Sequence, residues 1–82
     1  MRKIISIAIG EDYHLLLTFQ DGIRVSFDVR PYINGEWYSA LRNPEYFRQV
    51  KVHSVLEDAI EWPDGQDIGP EDIQQFGKII AA

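Results

Sequence analysis

Hydrophobic and polar residues alternate through the first third of the chain with the period of a β-strand. Ile5, Ile7 and Ile9 fall on one side of an extended segment over residues 3–9, and Ile4, Ser6 and Ala8 on the other. Gly10-Glu11-Asp12 reads as a turn. Tyr13, Leu15, Leu17 and Phe19 then alternate with His14, Leu16 and Thr18, and Ile23, Val25, Phe27 and Val29 with Arg24, Ser26 and Asp28. Strands with one apolar and one mostly polar face predict an antiparallel meander buried on one side. The connection at Gln20-Asp21-Gly22 follows from burial. A two-residue Asp-Gly loop would set Phe19 opposite Arg24 on the same face. A three-residue loop sets Phe19 opposite Ile23, with both pointing inward. That loop is a type I turn followed by a bulge, and it predicts a positive φ at Gly22.

After Val29 the alternation stops. Residues 30–37 read as a loop around Asn34-Gly35, followed by a single helical turn over 38–41. Asn43-Pro44-Glu45 is a helix start, with Asn43 as N-cap, Pro44 at the first position and Glu45 favourable to the dipole. The helix is expected over 44–49, burying Phe47. Residues 50–56 return to strand and are expected to pair with 59–62 across a turn at Glu57-Asp58. Pro63-Asp64-Gly65 makes a tight turn. Gly69-Pro70-Glu71-Asp72 opens a last helix, in which Ile73, Phe76, Gly77 and Ile80 form one apolar stripe. The fold class is therefore α+β: a small antiparallel sheet, built from an N-terminal three-stranded meander and a second hairpin, with short helices and the last at the C-terminus. Residues 1–82 are expected to form one domain, and the sequence has no repeat, linker or low-complexity segment.

Composition narrows the function classes. A chain of 82 residues with 45% hydrophobic and 26% charged positions suits a small folded core. It has no cysteine, which excludes a disulfide framework or thiolate metal site and fits a reducing, cytoplasmic setting. The start at Met1-Arg2-Lys3 is like that of a signal peptide, but its apolar run is short and gives way to Glu11-Asp12, so it is read as a strand; no stretch reaches membrane-spanning length. The net charge is −5, unevenly spread. Residues 1–56 hold six acids against seven bases, whereas residues 57–72 hold seven acids and no base. Such a surface repels phosphates, so no direct nucleic-acid binding is expected and a basic protein partner is favoured.

Candidate chemistry is sparse. His14 and His53 lack metal-ligand spacing and read as surface or structural residues. Glu61, Asp64 and Asp67 recur every three residues, but a cation loop supplies oxygens at closer, alternating spacing. Paired carboxylates could serve as acid and nucleophile, yet a chain this short offers little cleft to tune one of them. No serine lies in a Gly-x-Ser-x-Gly elbow, and Gly65-Gln66-Asp67-Ile68-Gly69 has no lysine to serve a phosphate. Trp37, Tyr38 and Trp62 have two readings: they close the ends of a small sheet, or they form an exposed aromatic patch for a partner.

The ordered motifs, from Leu15 to Gly22, Phe27-Asp28-Val29, Leu41-Arg42-Asn43-Pro44-Glu45-Tyr46-Phe47 and the run from Ile60 to Glu71 through Trp62-Pro63-Asp64-Gly65, cover nearly the whole chain. They resemble the DUF2442-like family of small bacterial and phage domains. The resemblance implies a compact α+β domain with an antiparallel sheet, and no catalytic residues come with it. Some relatives continue into a helix-turn-helix domain; here the chain ends at Ala82, so none is expected. Others are encoded beside a second small protein, an arrangement like that of toxin–antitoxin pairs. The expected function is thus a cytoplasmic, non-enzymatic interaction or accessory module, possessing no cofactor or metal and binding a basic protein or itself. The candidate surface is Trp37, Trp62, Asp64, Gly65, Asp67 and Pro70. The alternative is a small ligand- or cation-binding domain or enzyme using Asp28, Asp64 or Asp67 as acid, base or ligand.

Overall fold

The computed structural model describes residues 3–81; Met1, Arg2 and Ala82, the ends of the expected domain, lie outside them. Strands β1 (Ile4–Ile9), β2 (His14–Phe19) and β3 (Arg24–Asp28) form the expected antiparallel meander. Its central register follows the burial argument. Leu15 faces Phe27 and Leu17 faces Val25, and the Phe19 N–H donates to the Ile23 carbonyl at 2.9 Å across a three-residue loop with Gly22 at φ +90°. The alternation in β1 is interrupted. A bulge between Ile4 and Ser6 leaves Ile5 out of register, so Ile4 joins the buried side and Ile5 stays exposed. The expected single apolar face through Ile5, Ile7 and Ile9 is therefore broken: Ile7 packs against the core, while Ile9 remains exposed at the strand end.

The connection from β3 is more helical than its loop signals suggested. A 3-10 turn at Arg30–Tyr32 leads to α1 (Gly35–Tyr38), a second 3-10 turn at Ser39–Arg42 and α2 (Pro44–Phe47). Asn34 does not cap α1; its side chain turns back to donate to the Pro31 carbonyl at 2.9 Å. Asn43 does cap α2, accepting from the Glu45 N–H at 3.0 Å, and α2 stops at Phe47 rather than residue 49.

The second hairpin is present but short. Strand β4 (Lys51–Val52) pairs with β5 (Ile60–Glu61). It ends early because the His53 Nδ1 accepts the N–H groups of Val55 and Leu56, both at 3.0 Å, curling 53–56 into a turn. A third strand, β6 (Asp67–Ile68), extends this sheet beyond what the pattern predicted.

The C-terminus departs furthest from the helical stripe. Helix α3 (Pro70–Phe76) ends at Gly77, and Lys78–Ala81 forms β7, which adds to β3. Of the stripe, Ile73 alone is buried as a side chain; Phe76 and Ile80 are exposed. Gly77 marks the junction, since a Cβ there would collide with the Ile73 carbonyl and lie 2.5 Å from the Val25 side chain. The larger sheet has the order β1-β2-β3-β7 and the smaller one β4-β5-β6. One core joins them, from Leu15, Leu17, Phe19, Val25 and Phe27 to Phe47, Ile60, Trp62 and Ile68.

Candidate functional site

The run from Trp62 to Pro70 folds into a hairpin whose loop repeats the geometry of the first one. Trp62 donates its backbone N–H to the Gln66 carbonyl at 2.8 Å, and Gly65, at φ +101°, donates to the Trp62 carbonyl at 2.9 Å. Three residues, Pro63-Asp64-Gly65, thus bridge Trp62 and Gln66 and place both side chains on the inner face. Trp62 is 1% exposed, and its Nε1–H donates to the Phe47 carbonyl at 3.0 Å. This corrects the reading of Trp62 as a surface anchor: its ring fills the core beside Phe47, where no partner can reach it.

Gln66 is fully buried and ties three segments together. Its Nε2 donates to the Trp37 carbonyl at 3.1 Å, and its Oε1 accepts from the Tyr46 hydroxyl at 2.7 Å. That hydroxyl in turn accepts the Asp64 N–H at 2.8 Å. The Tyr38 hydroxyl closes the group by donating to the Asp67 carbonyl at 3.0 Å. The turn is therefore held from behind by buried polar contacts.

Its outer side is different. Trp37 is 54% exposed, and its ring lies against Gly65, where an added Cβ would come within 3.4 Å. Asp64 and Asp67 are exposed, while Pro70 is half-buried at the first position of α3. The Trp37 ring and the Gly65 turn that carries Asp64 are thus brought together at one end, with Trp62 and Gln66 supporting them from inside, whereas the Asp67 carboxylate turns to His53.

A second cluster lies on one face of the small sheet. Glu61 and Asp67 are directly opposite, an unfavourable like-charge pair. His53 Nε2 lies 3.5 Å from Glu61 Oε1 and 3.5 Å from Asp67 Oδ2, and Lys51 Nζ lies 3.6 Å from Glu61 Oε2. The Ser54 backbone N–H at 3.3 Å holds the Glu61 carboxyl below its ordinary range, with His53 and Lys51 adding to the effect. Asp64 is not part of this group, so the three-residue spacing of Glu61, Asp64 and Asp67 does not converge. Among the described residues no group of three or more His, Cys, Asp or Glu is arranged to hold a metal ion.

Asp28, the remaining carboxylate of the acid–base reading, is gripped by Arg30. The Arg30 Nε and Nη2 donate to its two oxygens at 3.0 Å each, and these bonds lower its pKa. A proton donor at neutral pH needs the opposite shift. Asp28 lies on β3 and Asp67 on β6, in different sheets. His14, also singled out from the sequence, reaches Asp28 at 3.9 Å and otherwise braces its own turn.

Gln66 and Tyr46 were missed as site residues. Pro63-Asp64-Gly65 ends in glycine like Gln20-Asp21-Gly22, but the burial argument needs apolar flanks and Gln66 is polar; Tyr46 gives no local signal, because its partners lie 18 and 20 positions away.

These features define a class: a small α+β domain in which a four-stranded and a three-stranded antiparallel sheet share one core and present a braced, acidic turn. Within it, the chain belongs to the family described as protein of unknown function DUF2442, whose model matches residues 4–76. No curated protein and no solved structure matches the chain. Among the described residues, no helix is long and apolar enough to cross a membrane.

Proposed function

We propose that this domain is a non-enzymatic protein-interaction module that uses Trp37 as its anchor, with Asp64 and Asp67 selecting a basic partner. The observation that carries the reading is the exposed Trp37 ring seated on the Gly65 turn, which Gln66 and Tyr46 brace from within. A large aromatic side chain left half in water, on a rigid support beside an acidic turn, is suited to a hot spot with a charged rim. Gly65 and Pro70 shape the surface, and Trp62 supports it from the core. An antitoxin-like role beside a small basic protein in the cytoplasm is one concrete form of this function.

The test is affinity capture from the source lysate with the parent and with Trp37→Ala, followed by titration of the purified partner. Trp37→Ala is expected to weaken binding about 10- to 30-fold, as loss of an aromatic anchor does. Binding is also expected to weaken as salt is raised. Equal affinity for the two proteins would overturn the assignment of the surface.

A further inference from the structure

Three of the exposed large hydrophobic residues fall within five positions: Phe76, Ile79 and Ile80, at 61%, 62% and 52% exposure. The last two lie in β7, the outermost strand of the larger sheet. Open strand edges are ordinarily guarded by charges, prolines, bulges or a covering segment. The opposite edge, β1, has such guards: it is bulged at Ile5, packs against β4, and its Ile4 N–H donates to the Glu57 carbonyl at 2.9 Å. Strand β7 has a bulge at Ile80 and one charge, Lys78, with apolar Ile79 between them.

The hydrogen-bond parity of the sheet shows which backbone groups of β7 face outward. The Ile23 carbonyl and the Val29 N–H bond toward β2. Odd-numbered residues of β3 therefore serve β2, and even-numbered ones serve β7. Ser26 is paired with Lys78, so Lys78 bonds inward, and the N–H and C=O of Ile79 point away from the sheet.

We infer that Ile79 is the two-fold centre of a homodimer, in which β7 of one copy pairs antiparallel with β7 of a second. A second copy fits this edge on three counts. Opposed residues of an antiparallel pair share a face, so a two-fold axis at Ile79 lets each Ile79 give and receive one hydrogen bond with its counterpart. In that register Lys78 lies opposite Ile80 of the other copy, so no two like charges oppose each other. Isologous pairing of this edge also consumes it in both copies and stops at two, whereas pairing β7 with β1 would propagate. The interface is a single short strand with flanking Phe76, so association is weak and reversible. It is separate from the Trp37 surface, and Trp37→Ala leaves it unchanged.

Sedimentation equilibrium from about 10 μM to about 1 mM, a range suited to weak association, tests the inference. The parent is expected to rise from the 9.5 kDa of one chain toward about twice that mass. Ile79→Asp, at an exposed position, is expected to keep the parent circular dichroism spectrum and lower the association constant at least tenfold, leaving a monomer through most of the range. Ile5→Asp, on the guarded edge, is expected to associate like the parent. A parent that stays monomeric at the highest concentration overturns the dimer. Loss of association in Ile5→Asp but not in Ile79→Asp overturns the choice of edge, as does equal association in all three.

Discussion

Gln66 carries more of the local architecture than any residue around it, because it is a polar side chain placed where water cannot replace a lost partner. It satisfies the Trp37 carbonyl and receives the Tyr46 hydroxyl, which then orders the Asp64 N–H. No buried side-chain nitrogen or oxygen among the described residues lacks a hydrogen-bond partner, and Gln66→Leu would strip the Trp37 carbonyl of its side-chain donor and the Tyr46 hydroxyl of its acceptor. Each unsatisfied buried group costs about 1–3 kcal/mol, and Gln66→Leu is expected to destabilise the domain by about 2–4 kcal/mol in urea titration. Asp64→Asn, in the exposed turn, is expected to change stability by less than about 0.5 kcal/mol. Equal effects of the two would show that the braced turn is not held by Gln66. Trp62 teaches the same lesson: aromatic identity invited a surface role, and burial gave it a core one.

At the scale of elements, two short loops fix the pairing of both hairpins by the same means. Gln20-Asp21-Gly22 and Pro63-Asp64-Gly65 each close three residues with a final glycine at positive φ, +90° and +101°. Gly22 has open space around its Cα, so a methyl group there meets no neighbour and only the backbone conformation is penalised. Gly22→Ala is therefore expected to cost about 1 kcal/mol, from the positive φ alone, measured as a lower denaturation midpoint with an unchanged m-value. The first loop was legible because apolar residues flank it on a shared face. The second held the same information, but Trp62 opposite Gln66 hid it, since a glutamine rarely signals burial. Helix α3 and β7 were misjoined for a different reason. Ile73, Phe76, Gly77 and Ile80 fit a helical period, and the close approach of Gly77 to the Ile73 carbonyl and Val25, which breaks it, is visible only once β3 is in place.

At the scale of the whole molecule, the two sheets meet around one core, and each exposes a carboxylate cluster held by basic groups. Asp28 is held low by Arg30, and Glu61 by the Ser54 N–H with His53 and Lys51. Both folded-state pKa values lie below their ordinary ones, so on acidification the unfolded chain takes up protons first. The stability these groups contribute is present above about pH 4–5, near the ordinary carboxylate values, and is lost as pH falls through the lowered folded values. Melting temperature is therefore expected to fall below about pH 4.5, and the double variant Asp28→Asn, Glu61→Gln to show a shallower acid limb than the parent. An acid limb of unchanged slope in that variant would shift the origin of acid sensitivity to other carboxylates.

The sequence by itself determined the α+β class, the meander with the register of its β2–β3 hairpin, the cap on α2, the family, and the acidic charge of the 57–72 segment. Each of these rests on neighbours in sequence: alternation, turn chemistry, or the order of motifs. Tertiary structure decided which aromatic faces water, that β7 is a strand, that β6 completes a second sheet, and that Glu61, Asp67 and His53 converge while Asp64 does not. Those outcomes depend on contacts between segments far apart in the chain. A residue's own preferences set its local conformation, but burial and pairing are properties of the groups brought against it.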